Sequence, residues 1–304
     1  MTVGALPSAI GAHRRSLLLM IVAPLLWSTA GVVTRWLSPD FQVQGRYEIT
    51  FWRSLFAAIT VALYMAWARG DLVPRLKRVD RSTLLSSLMW CTMFSAFMLA
   101  LTLTTVANTL IVLSVQPLLT ALLAWAVLRR PLAGRTWLAI GAAMTGMLWM
   151  FAAGFTASGG VHVIGMLIAL AVPLAAAINL VTLEKRGAHV DLIPAVLLGG
   201  VFSALLMLPF ALPFQARPAD VAWLAALGVF QLGVPCMLLV AAARHLNATE
   251  ISLLALLEVV FGPVWAWLGA GEVPSTTTIY GGALVLGALV FNELALYRRA
   301  TTVR

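Results

Sequence analysis

A 304-residue chain that is 62% hydrophobic and 10% charged, with mean hydropathy +0.97, keeps most of its surface out of water, since soluble domains carry roughly 25% charged residues. Its formal charge of +9 would suit a nucleic-acid partner, but the placement of the basic residues gives a better account. Cys91 and Cys236 both lie inside apolar runs without a neighbouring Cys or His, which leaves no disulfide framework or metal-binding Cys pair.

Apolar runs of roughly 20 residues recur along the whole length, the signature of membrane-spanning helices. The alternating segments of a membrane β-barrel are absent from the sequence. The first run follows His13, Arg14 and Arg15 and resembles a signal peptide. It continues to Trp36 without a cleavage signal, so it is expected to be a retained span. Ten spans are predicted, at 16–37, 47–67, 83–105, 107–128, 136–154, 162–183, 191–213, 219–243, 250–269 and 277–297. Breaks fall at Ser38-Pro39-Asp40, the basic stretch 69–81, Arg129-Arg130-Pro131, Ser158-Gly159-Gly160, Glu184 to Gly187 and Pro213 to Pro218. The fold class is therefore an all-α polytopic membrane protein. It is divided into a tail at 1–15, five helices at 16–154, five more at 162–297 and a tail at 298–304.

With the N-terminus inside, sixteen of the twenty Lys and Arg fall on inner segments. Only Arg35, Arg46 and Arg217 fall outside, and Arg53 lies within a span. This asymmetry predicts that both termini are cytoplasmic and removes the need for nucleic acid.

The stretch Ala107–Arg130 has an echo 142 residues later, at Thr249–Glu272. In that register Gln116 falls on Glu258, and Arg130 on Glu272. Five spans per half is an odd number, so the second half inserts upside down. Inverted repeats of this kind place a substrate site near the midplane of alternating-access transporters.

The residues also resemble a known family. Trp27-Ser28-Thr29-Ala30-Gly31 in span one, Phe51-Trp52-Arg53-Ser54 in span two, Leu257-Glu258-Val259 with Pro263 in span nine, and Gly271-Glu272 after it are similar to motifs of the drug/metabolite transporter superfamily. The similarity is to its ten-span EamA-type exporters. Within that group the chain is similar to exporters of amino acids and related metabolites, the YddG-type aromatic amino acid exporters among them. What the resemblance implies is secondary export of a small molecule, with no enzyme activity and no cofactor. The implied partners are that small molecule and the bilayer, and the oligomeric state stays open.

Candidate residues follow from the cost of polarity inside a membrane. Glu258 is the one carboxylate deep within a span, where it either meets substrate or a proton, or binds a neighbouring helix. Gln116, its repeat mate, offers an amide at comparable depth; Asn179 and Gln231 are weaker candidates of the same kind. Trp27, Ser28, Trp90 and Phe94 are assigned to the pocket wall, Phe94 being one turn from Trp90. Arg53 can bind a carboxylate, snorkel to headgroups or hold a helix carbonyl, and the structural roles are favoured. Pro24, Pro117, Pro173 and Pro263 are candidate hinges. No phosphate-binding GxxxxGK[ST] sequence occurs, which rules out a nucleotide motor in this chain. Clustered metal ligands are absent too, so a lipid-modifying enzyme is disfavoured.

Overall fold

The computed structural model describes residues 5–129, 134–158, 160–186 and 192–302; Arg130, mate of Glu272 in the repeat, lies outside them. The chain opens with α1 (Ala5–Trp27), so helix already runs through much of the expected N-terminal tail. Ala5, Ala9 and Ala12 are good helix formers, and Pro7 falls in the first turn, where its missing N–H costs nothing. The first span then breaks after Trp27. There the hydroxyls of Ser28 and Thr29 donate to Leu25 O and Leu26 O, both at 2.7 Å, and these local bonds compete with the helical ladder. Helix resumes as α2 (Ala30–Arg35).

The connection α3 (Pro39–Gln44) leads into α4 (Arg46–Leu63), whose last turns widen into a π-helical stretch, Tyr64–Ala68. After α5 (Leu72–Leu76), α6 (Arg81–Leu103) starts at Asp80, whose carboxylate accepts Thr83 N–H at 2.8 Å. Span four is split into α7 (Val106–Leu113) and α8 (Gln116–Leu128). There follow α9 (Gly134–Ser158), α10 (Val161–Arg186) and α11 (Ile193–Ala211). Span eight is α12 (Pro218–Ala226), a π-helical stretch Leu227–Gly233, and α13 (Val234–Ala242). Span nine is split into α14 (Ala248–Leu254) and α15 (Leu256–Ala270), and α16 (Thr276–Thr302) runs through most of the expected C-terminal tail.

Among the described residues, eight helices are long and apolar enough to cross a membrane, against the ten expected. The two others exist as helices. In α9 the described residues include the apolar stretch Trp137–Trp149.

The 142-residue echo is a structural repeat. Thr105 and Asn247, equivalent in that register, are both N-caps, accepting from Asn108 N–H and Glu250 N–H. Arg129 and Gly271, also equivalent, both end their helices in the left-handed conformation, at φ +53° and +67°. Both spans break at their middle. Pro117, in the first turn of α8, fits its break because that N–H needs no partner. Span nine breaks at Ala255, well before Pro263. Packing obeys the same exchange of halves. α1 lies on α13 as α10 lies on α6, α15 meets α2 as α8 meets α10, and α4 meets the span-eight π stretch as α11 meets α6. α4 pairs with its counterpart α11, and α9 with its counterpart α16. A Cβ on Gly146 would lie 2.8 Å from Gly281 O, so this small residue lets α9 and α16 close up. Hydroxyls bind the centre together, with Ser203 of α11 bridging Ser54 and Ser95 at 2.8 Å each.

Candidate functional site

Seven of the eight residues assigned to the pocket from sequence lie around one cavity: Trp27, Trp90, Phe94, Gln116, Asn179, Gln231 and Glu258. The eighth, Ser28, is outside its lining. Ser28 is buried between Leu25 O and the indole of Trp265, whose Nε1 donates to its hydroxyl at 3.1 Å. The repeat explains why Gln116 and Glu258 meet at the cavity. Each stands at the helical restart after the break in its span, as the first residue of α8 and the third of α15.

Arg53 also lines the cavity, and it is 1% exposed. The snorkelling alternative therefore fails. The side chain points inward because partners wait there: its Nε donates to Gln231 Oε1 at 3.0 Å, its Nη1 to Phe94 O at 3.4 Å, and its guanidinium lies 5.4 Å from the centre of the Phe97 ring. The helix-carbonyl contact is thus real, but it is made inside the pocket. Gln231 is held in turn by donating to Trp27 O at 3.2 Å. It lies within the π-helical stretch, four residues before Pro235, and such bulges are frequent at functional sites.

Asn179 accepts Ser86 Oγ at 2.6 Å through its Oδ1. The Glu258 carboxylate, by contrast, makes no hydrogen bond or ion pair among the described residues. The rings of Trp90 and Phe94 lie 5.5 Å apart, tilted by 46°. The wall is completed by Met93, Phe97, Leu113, Val172, Leu180, Cys236, Leu239 and Ser252. Phe97 follows Phe94 on the same face of α6, so helical spacing carries that signal. Cys236 carries no such signal.

The cavity encloses about 90 Å³, well under the roughly 300–1,000 Å³ of typical ligand pockets. A few water molecules fit in this conformation, and a larger guest needs the walls to part. Among the described residues no group of three His, Cys, Asp or Glu is placed to hold a metal. The candidate hinges are scattered. Pro24 precedes the break in span one, Pro117 follows the break in span four, and Pro173 and Pro263 sit within the continuous helices α10 and α15.

No curated protein matches the chain. One solved crystal structure, described only as that of a protein, shares its fold with a TM-score of 0.66 at 20% identity, over 93% of this chain and 97% of the other. The profile of the EamA-like transporter family matches twice, over residues 14–152 and 163–293, once in each half. The chain belongs to the EamA-like transporter family, a family of multi-pass membrane carriers of small solutes.

Proposed function

We propose that this chain is a secondary exporter of neutral amino acids, aromatic ones included, that works by alternating access between two inverted five-helix halves. The observation that supports it most is the lining of one cavity: a buried cation, a carboxylate that makes no hydrogen bond among the described residues, and aromatic walls. A zwitterion with an apolar side chain is complementary to all three. In this reading Trp27, Trp90 and Phe94 receive the side chain, Gln116, Asn179 and Gln231 orient the polar end, and Glu258 takes the ammonium group. Arg53 holds the wall in shape and sets a positive potential. Pro24, Pro117, Pro173 and Pro263 let the halves bend, and all ten helices span a bacterial inner membrane with both termini cytoplasmic.

Proteoliposomes holding the purified chain test this directly. Labelled phenylalanine, tyrosine and leucine are expected to exchange across the membrane faster than in empty vesicles. If none of the three does so, the amino-acid reading is wrong and another small solute must be sought. The place of the Glu258 carboxylate on the cavity wall also supports a second reading, a proton-coupled exporter of lipophilic drugs. In that case a pH gradient drives a lipophilic cation and leaves the amino acids behind.

A further inference from the structure

We propose that the indole N–H of Trp90 and the side-chain N–H of Asn179 form the subsite for the substrate's carboxylate, an inference that rests on the amino-acid reading above. The cavity has more donors than its own acceptors can use, and they are gathered on one side. Trp90 is 3% exposed, lines the cavity, and its Nε1 is a buried donor without an acceptor. Buried indole N–H groups usually find one. Asn179 is 1% exposed, and only its Oδ1 is engaged, by Ser86. Its amide N–H has no acceptor among the described residues.

The two donors belong together because Ser86 and Trp90 are one helical turn apart on α6. The next turn of the same face carries Phe94, whose carbonyl holds Arg53. One stripe of α6 thus brings two free neutral donors and a guanidinium to the same wall. The guanidinium spends Nε and Nη1 on Gln231 and Phe94, so its charge and its Nη2 N–H groups stand beside the open donors of Trp90 and Asn179. Gly199 fixes the position of Trp90. A side chain there would meet the Trp90 Cβ, as well as Ser87 O at 3.1 Å and Cys91 N at 3.3 Å, so α11 lies directly against this turn of α6. Glu258, an acceptor, enters from α15. A zwitterion therefore lies with its carboxylate towards α6 and its ammonium towards α15.

The test uses the full chain in detergent, isotope-labelled at the indole nitrogens, with the Trp90 resonance identified by its loss in Trp90→Phe. L-phenylalanine and phenylacetate, which has a carboxylate and no amine, are expected to move that resonance downfield in a saturable way. Phenethylamine, which has the amine alone, is expected to leave it in place. No movement with either carboxylate, or equal movement with the amine, overturns the subsite. In vesicles, Trp90→Phe keeps the ring and Asn179→Leu keeps the volume. Each is expected to raise the apparent KM for phenylalanine about tenfold, the loss of one hydrogen bond to a charged group. An unchanged KM in both variants sinks the subsite while amino-acid export stands. A resonance that responds to phenylacetate in a chain that carries no amino acid does the reverse.

Discussion

Arg35 and Glu272 form an ion pair at 2.8 Å that joins the first half of the chain to the second. Both ends are engaged further. Arg35 donates to Leu101 O at 3.0 Å and Thr104 O at 3.2 Å, and Glu272 accepts the first N–H of α7, from Val106, at 2.6 Å. Trp36 Nε1 to Gly269 O at 2.9 Å and Thr278 Oγ1 to Asn108 Oδ1 at 2.6 Å tie the same end of the molecule. A passage from the cavity through this end must break that set. The two side chains are 22% and 16% exposed, so the pair is largely desolvated. Glu272→Ala leaves Arg35 without its charge partner and the Val106 N–H without its acceptor. It is expected to cost about 2 kcal/mol, read from thermal unfolding in detergent. A double-mutant cycle with Arg35→Met that returns no coupling would remove the latch.

Cys236 reports on the same motion from the other side. It lines the cavity and is 1% exposed. In a Cys91→Ala background, a small methanethiosulfonate reagent is expected to modify Cys236 slowly. Glu272→Gln, which weakens the latch, should raise the rate several-fold, and transported substrate should lower it. A modification rate indifferent to both would show that this end does not gate the cavity.

Glu258 and Gln116 occupy equivalent places, yet only one of them titrates. Glu258→Gln is expected to abolish transport or to flatten its dependence on pH, because among the described residues no other carboxylate lines the cavity. The repeat makes a sharper demand. The exchange Gln116→Glu with Glu258→Gln returns a carboxylate to the equivalent restart of α8, and part of the pH dependence should return with it. Transport assays across a pH series in vesicles decide this, and pH-independent transport in the exchanged variant would mean that the halves are not interchangeable at this depth.

The sequence carried much of this site, for identifiable reasons. Glu258 stood out because charge inside a membrane is costly, and Gln116 because the repeat register pointed to it. Trp90 and Phe94 are one turn apart, so helical spacing joined them. Arg53 was left between three roles because its distance from the span end allowed snorkelling; the packing of Gln231, Phe94 and Phe97 around it draws it inward. The breaks in spans one and nine were equally hidden. They arise where side-chain hydroxyls and local geometry displace the helical ladder, with no proline at the point of rupture in span nine. The π-helical stretch that presents Gln231 left no periodic signal, since one extra residue per turn shifts the pattern without breaking it.

That stretch depends on one small residue. A Cβ on Gly228 would meet the Cβ of Phe56, Arg53 O at 2.7 Å and Ala57 N at 3.0 Å, and two of these are backbone atoms of α4 that cannot swing aside. Gly228→Ala must push span eight away from α4. The expected cost is about 2 kcal/mol, the usual scale for overpacking. Since Gly228 lies one turn before Gln231, the same displacement draws Oε1 from Arg53 Nε and should weaken substrate binding as well. Gly141 of α9 is the control, because a Cβ there meets nothing within 4 Å. Gly141→Ala should hold or raise stability by up to about 1 kcal/mol through helix propensity alone. Thermal unfolding of the two variants side by side, with KM for the transported solute, separates the outcomes. Equal stability in both would mean that α4 and span eight are not in close backbone contact at Gly228, and the inward placement of Gln231 would need another cause.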